Sequence, residues 1–277
     1  MHQILIPIDP SAYTKTAFRY AVEIASHNKV ILDGVAIIDN LSLAEAASTY
    51  VPLPLGNEEH LKQEQQLMED AKEKANRELA DFKELCKTKR LHCSAKLMVG
   101  RPDFVIEEAG KYADLIVTGM RNFFHFETSK SPEKTVSKIM HHTRTPLLIV
   151  PEVFKPVKKV LVAFDGSNPS IRAAQEFAKL TWNKEYEITI LISHKSRSEG
   201  DELLQKLENY LSKHTRAKIK KQHSDENIIS VFDNEFSGST DLVVCGMHSQ
   251  NILQKVFVGS FPEHLINLNK IPVLIAQ

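Results

Sequence analysis

Three stretches of this sequence occur twice, in the same order, and that duplication constrains the fold more than any other feature. ILIPIDPS (4–11) returns as VLVAFDGS (160–167), ADLIVTGM (113–120) as TDLVVCGM (240–247), and TPLLIVP (145–151) as IPVLIAQ (271–277). Each half opens on an apolar run ending in an aspartate, Asp9 or Asp165. It continues to a second run ending in Gly-Met, at Gly119 or Gly246, and closes on a proline-led run at Pro146 or Pro272. The offsets are 165−9 = 156, 246−119 = 127 and 272−146 = 126, so the halves differ in length mainly between the aspartate and the Gly-Met. In 277 residues such a repeat implies two domains of ordinary size, 1–151 and 159–277, joined by the short linker EVFKPVKK (152–159).

The repeated runs show no polar alternation, the pattern of strands covered by helices on both faces. Segments with helical periodicity lie between them, at about 12–26, 58–89 and 102–111, with counterparts at about 169–182, 199–213 and 226–236. Further strands are expected at 30–38, 92–98, 187–193 and 217–222. This order predicts an α/β fold of two tandem Rossmann-like, doubly wound domains, each a five-stranded parallel sheet with helices on both faces. In the helix at 58–89, Leu61, Met68, Ala75, Leu79, Phe82 and Cys86 fall on one face, which predicts a docked amphipathic element. At ~1.5 Å per residue it runs roughly 45 Å, longer than a compact sheet needs, so its free end is expected either to protrude into solvent or to reach a partner subunit.

Formal net charge is zero, 35 basic against 35 acidic residues, which argues against a nucleic-acid or anionic-membrane surface. No apolar run approaches the ~18 residues of a transmembrane helix, and the first residues read as a strand rather than a signal peptide. Cys86, Cys93 and Cys245 form no CxxC pair and suit reduced packing thiols, so a cytoplasmic protein is expected.

In an open parallel sheet the ligand site lies beyond the carboxyl ends of the strands, where strand order reverses. Asp165 and Gly246 fall at such ends. After Gly246 the chain reads Met-His-Ser249, then nine residues, then Gly259-Ser260 ahead of a helix. Glycine at 246 opens backbone angles closed to other residues and admits close approach of a ligand. Gly259-Ser260 either turns free helix N–H groups toward an anion or merely caps the helix.

With these residues in place, the chain resembles a tandem universal stress protein over essentially its whole length. The family signature is Gly-x2-Gly-x9-Gly-[Ser/Thr] after strand four, with an aspartate after strand one, and many members bind ATP there. The second half supplies Asp165, Gly246, Gly259 and Ser260 at that spacing, with Ser249 in place of the second glycine. The resemblance implies ATP or another adenine nucleotide, which a magnesium ion can accompany. Asp165 would hydrogen-bond the adenosine moiety and Gly246 would lie beside the ribose-phosphate. Gly259 and Ser260 would hold phosphates, and Ser249 still offers an N–H and a hydroxyl. The resemblance further implies that the fifth strands, 146–150 and 272–276, pair with each other. The chain would then be an intramolecular pseudo-dimer, able to form a homodimer as well.

The first half departs from the signature. Gly119 remains, but Asn122 takes the second glycine position. Counting back from the prolines (272−259 = 13 = 146−133) puts Glu133-Lys134 where Gly259-Ser260 stand. Ser131-Pro132 reads as an ordinary helix start, Pro132 has no N–H, and Glu133 opposes a phosphate. This half is expected to bind no triphosphate, with Asp9 vestigial or part of a different pocket. Phe123, Phe124 and Phe126 either fill the vacant site or form an exposed contact patch.

No GxxxxGK[ST], GxSxG or HExxH motif is present, and no catalytic or metal constellation stands out. His141-His142 suits a helix end, His92 and His248 read as ordinary surface residues, and Trp182 as packing. The expected function is a stress-associated cytoplasmic adenine-nucleotide-binding protein, not an enzyme. Its site lies in the C-terminal repeat and its N-terminal repeat serves contacts, with neither nucleic acid nor membrane as partner. The alternative is a structural or partner-binding member of the family in which both sites have degenerated. An enzyme of the wider adenine-nucleotide α-hydrolase group fares worse, because the Ser-Gly-Gly-x-Asp-Ser and His-x-Gly-His motifs are absent.

Overall fold

Every repeated apolar run is a strand. The first half contributes β1 (Gln3–Ile8), β2 (Ile31–Ile38), β3 (His92–Val99), β4 (Leu115–Gly119) and β5 (Leu147–Val150). The second contributes β6 (Lys159–Phe164), β7 (Glu187–Ser193), β8 (Lys218–Ser224), β9 (Leu242–Gly246) and β10 (Val273–Ala276). The computed structural model describes residues 1–26, 29–41, 43, 58–124, 135–180, 186–247 and 260–277. Helices among the described residues are α1 (Ala12–Ala25), α2 (Glu58–Thr88), α3 (Pro102–Gly110) and α4 (Thr135–His142). They continue with α5 (Asn168–Lys179), α6 (Arg197–His214), α7 (Ile228–Val231) and α8 (Ser260–Leu268). A π-helical turn, Phe232–Phe236, extends α7 and replaces the second part of the regular helix expected at 226–236.

The two predicted parallel sheets are present, and they are fused. One ten-stranded sheet runs in the order β3-β2-β1-β4-β5-β10-β9-β6-β7-β8. Pairing is parallel within each half, and β5 meets β10 antiparallel in the register Ile149–Val273, Leu148–Leu274 and Leu147–Ile275. All of these side chains are buried. A short apolar edge left unpaired would template another chain; pairing removes both inner edges at once. The outer edges differ in character. On β8, Lys220 pairs with Glu187 at 3.2 Å and Lys221 with Glu208 at 2.6 Å, which keeps that edge charged and solvated.

Strand side chains alternate between two core layers that both run the length of the sheet. Ile4, Ile6, Val160 and Val162 face one layer, covered by α1, α2, α5 and α6. Leu5, Ile116, Leu161 and Val243 face the other, covered by α3, α4, α7 and α8. In α2 the buried stripe is Leu67, Ala71, Ala75, Leu79, Phe82 and Cys86, whose spacing of three to four residues matches one helical face. The expected stripe is thereby corrected at its start: Leu61 is 47% exposed, and among the described residues the buried stripe begins at Leu67.

Candidate functional site

Strand order reverses between β1 and β4 in the first half and between β6 and β9 in the second. At such a point the two flanking loops diverge to opposite faces and leave a crevice at the carboxyl ends of the strands. Asp9 and Asp165 directly follow β1 and β6, and Gly119 and Gly246 end β4 and β9. The two crevices have the same scaffold and different contents.

In the second half the crevice is an open cavity of about 400 Å³, within the range of small-molecule sites. Ala163, Phe164, Cys245, Ile228 and Phe261 form its apolar walls. Asp165, Ser193, His194, Lys195, Asp225 and Glu226 supply polar groups at the strand ends. Asp165 is exposed and its Oδ1 accepts the Ser167 N–H at 3.0 Å. That bond shapes the turn into α5, where Gly166 has φ +76° and a Cβ would come within 2.9 Å of Leu203. Ser167 then caps α5, its hydroxyl accepting the Ser170 N–H at 3.3 Å. At the back of the cavity the Cys245 thiol is pushed up to about 12, by burial first and then by the charge of Asp165, so it stays a protonated packing group.

Gly246 has a different structural role from the one expected. Its φ is not in the positive region, where only Gly100 and Gly166 lie among the described glycines. A Cβ on it would sit 2.3 Å from the Ser170 nitrogen and 2.6 Å from the Pro169 carbonyl carbon. Gly119 is constrained in the same way, its Cβ falling 2.4 Å from Tyr13 Cβ. Both glycines are needed because the first turn of the helix after strand one packs directly on the end of strand four. Gly246 also lines the cavity, so the two demands coincide there.

Asp9 in the first half is 2% exposed, and the protein itself satisfies it. Its Oδ1 accepts the Ser11 N–H at 2.9 Å, the Ser11 hydroxyl, and the Thr14 hydroxyl at 2.8 Å. Its Oδ2 accepts the Phe123 N–H at 2.6 Å, from the loop that follows β4. Asn122 is buried behind this bond and shares a 3.1 Å hydrogen bond with Thr118 Oγ1. Phe124 is fully buried against the layer containing Met120 and Val136, and Phe123 is partly buried. Residues 122–124 therefore fold over the carboxylate and cover it.

Ser260 is the first residue of α8, directly ahead of Phe261 and Pro262, which line the second cavity. Ser249, Gly259, His248, Phe126, Pro132, Glu133, Lys134 and Trp182 lie outside the described residues. The structure adds to the expected residues the wall made by Ser193, His194 and Lys195 after β7 and by Asp225, Glu226 and Asn227 after β8. Their signal in the sequence was position alone, the carboxyl ends of two further strands of the same sheet. Two of these groups hold the wall together. Ser193 Oγ donates to the Glu226 carbonyl at 2.5 Å, and the Asn227 side chain accepts the Ile229 N–H at 2.9 Å to start α7. Among the described residues no group of three or more His, Cys, Asp or Glu could hold a metal ion, and no helix is long and apolar enough to cross a membrane.

Comparison with known proteins places this geometry in context. The family model described as "Universal stress protein family" matches residues 1–151 and again 156–277. A universal stress protein of Synechocystis is 23% identical over 308 aligned positions that cover 99% of each chain. Among solved structures, a universal stress protein from Archaeoglobus fulgidus superposes with a TM-score of 0.69 at 15% identity, covering 99% of this chain and 98% of that one. A universal stress protein described as putative, from Pseudomonas aeruginosa, gives 0.62 at 12% identity, covering 100% and 93%. These likenesses concern the fold.

Proposed function

The chain belongs to the universal stress protein family, and from that premise we propose that it is an adenine-nucleotide-binding protein with one site, in its second repeat. The observation that carries this reading is the contrast between the two crevices. The second is an open cavity of about 400 Å³ bordered by Asp165, Gly246 and the start of α8. In the first, Asp9 is saturated by Ser11, Thr14 and Phe123. Asp165 is exposed beside the cavity, where hydroxyls of the ribose would meet it, and the apolar walls from Ile228 and Phe261 suit a purine ring. Phosphates would lie toward Ser260 at the helix N-terminus, with Gly259 and Ser249 beside them and Lys195 on the opposite rim. Bound ATP would bring its own magnesium ion, held by phosphate oxygens.

Catalysis is not part of the proposal. The protein acts in the cytoplasm, as a binding component of a stress response. The antiparallel β5–β10 pair supports an intramolecular pseudo-dimer, with the first repeat available for contacts with a second copy. One observation favours a second reading, a partner-binding protein without nucleotide. Asp165, Asp225 and Glu226 put three carboxylates around the cavity, against Lys195 as the lysine among the described lining residues.

Calorimetric titration with ATP, ADP and AMP separates the two readings. One equivalent of nucleotide per chain is expected. Gly259→Glu should remove binding, Ser249→Gly should leave it equal or tighter, and Asp9→Ala should leave it unchanged. Absence of binding of all three nucleotides would favour the second reading. Two equivalents, or loss of binding on Asp9→Ala, would put the site in the wrong half.

A further inference from the structure

Two thiols meet where α2 hands over to β3. Cys86 ends the buried stripe of α2 and is fully buried. The chain then reverses in a tight turn. The Leu91 N–H donates to the Cys86 carbonyl at 2.9 Å and the Arg90 N–H to the Lys87 carbonyl at 3.0 Å, with Arg90 at φ +56°. This pair of bonds around a left-handed residue is the Schellman termination of a helix, which turns the chain back on the helix's own last turn. β3 therefore starts against the end of α2.

Alternation along β3 decides which of its side chains face that helix. His92, Ser94 and Lys96 are exposed, whereas Cys93, Ala95 and Leu97 are half-buried and pack against the core layer that α2 covers. Leu32, opposite Cys93 on β2, is fully buried in the same layer. The last buried residue of the α2 stripe and the first helix-facing residue of β3 are thus both cysteines, and a side-chain hydrogen bond links them. The Cys86 thiol is pushed up to about 12, by burial first and then by the hydrogen bond and charge of Cys93. Exposure separates their chemistry. β3 is an outer strand of the sheet and Cys93 is reachable from solvent, while α2 and the sheet enclose Cys86. Cys245, the third cysteine, is buried in the opposite core layer and in the other repeat.

We propose that Cys93 and Cys86 form a site of reversible oxidation by hydroperoxides, with Cys93 as the attacking sulfur and Cys86 as the resolving one. Cys93, as the thiolate, attacks the terminal oxygen of the hydroperoxide. An S–O bond forms, the O–O bond breaks, and the departing oxygen takes the thiol proton, leaving a sulfenic acid. The Cys86 sulfur then attacks the Cys93 sulfur. The S–S bond forms, the S–O bond breaks, and the hydroxide leaves as water with the Cys86 proton. In sum, two thiols and one hydroperoxide give one disulfide, one alcohol and one water, the alcohol being a second water when the oxidant is hydrogen peroxide. The disulfide ties the last turn of α2 to the outer strand. A dithiol reductant reverses it by exchange, as a transient disulfide in a reducing compartment requires. None of these steps involves the nucleotide cavity.

The test uses the reduced full-length chain, exposed to a small excess of hydrogen peroxide, quenched with a thiol-alkylating reagent and mapped by trypsin and mass spectrometry. The expected product has lost two hydrogens and yields the linked peptides 84–87 and 91–96, with Cys245 still alkylated after denaturation. Cys93 should react at least ~10-fold faster than buried Cys245. Cys86→Ser should leave a sulfenic acid at Cys93 that dimedone traps, and Cys93→Ser should leave Cys86 reduced. Hydrogen exchange in residues 84–91 should slow on oxidation of the wild-type chain and recover with dithiothreitol, a readout that needs no variant. Absence of the linked peptides, linkage only after unfolding, or oxidation of Cys86 at the wild-type rate in Cys93→Ser would overturn the proposal. Exchange that did not change on oxidation would overturn the tie between α2 and the outer strand.

Discussion

Gly119 and Gly246 show how one residue can carry two meanings. Both end strand four of their repeat, and both leave room for the backbone or first side chain of the neighbouring helix. The first half kept its glycine while its crevice closed, which follows if packing alone requires it. Gly246→Ala should therefore destabilise the fold by ~1–3 kcal/mol or more, because the clash is with backbone that cannot rotate away. Thermal unfolding would show this, with Gly238→Ala as the control. A Cβ at Gly238 meets nothing within 4 Å, so its melting temperature should be unchanged or slightly raised. Asp114 has a pH signature. Burial pushes its carboxyl up, but the His2 and Gln3 N–H groups and the nearby N-terminus outweigh this and hold it below the usual carboxylate range. A lowered folded-state value means stabilisation that is present above the unfolded value of ~3.9 and is lost as pH falls through the folded one. Asp114→Asn should thus melt below wild type at neutral pH, and the gap should shrink in acid. A gap that stayed constant down to pH ~2 would show that the carboxylate charge is not what the N–H groups hold.

At the scale of elements, α2 separates what periodicity can find from what it cannot. The apolar spacing of Ala75, Leu79, Phe82 and Cys86 located the docked face, and all four are buried. The same spacing extended it to Leu61, which is exposed. Hydrophobic pattern records which side of a helix is apolar, not how far its support reaches. Phe82 lies under the helix, edge-on to Phe18 with ring centroids 5.5 Å apart. Phe82→Ala should cost ~3–5 kcal/mol in denaturant unfolding. Leu61→Ala should change stability by no more than ~0.5 kcal/mol. Similar costs for the two would mean that the first turns of α2 are held by contacts as extensive as those of its middle. The loop after β4 makes a related point. Its phenylalanines suggested either a filled site or a surface patch, and for Phe123 and Phe124 the choice fell to one backbone bond, Phe123 N–H to Asp9, with Phe124 carried into the core.

Across the whole molecule, the sheet and its two core layers ignore the boundary between repeats. Strands β5 and β10 have only three paired positions, but every side chain in them is buried, so separating the halves would expose two apolar edges together with parts of both layers. Residues 156–277 expressed alone should consequently dimerise through β10, with a homodimer replacing the missing β5. Sedimentation equilibrium would measure this, and Leu274→Lys should abolish it by placing an unpaired charge in the seam. A fragment that remained monomeric and folded at high concentration would count against edge pairing as the force that holds the halves together.

The apolar runs, six of them duplicated, determined the number, order and type of strands, because strand burial and helix amphipathicity are written in local spacing. They also located Asp165 and Gly246, since the ends of parallel strands are where any such sheet opens. Local spacing carries no information about groups brought together from distant loops. Only the tertiary structure decided that Asp9 would be saturated by Phe123 from 114 residues away, while Asp165 stayed exposed beside an open cavity. It likewise decided that Ser193, Lys195 and Glu226 would complete that cavity, and that Gly246 would answer to a helix as well as to the site. A hydrogen bond needs its two partners within about 3 Å, and that proximity is a property of the folded chain, not of any segment of it.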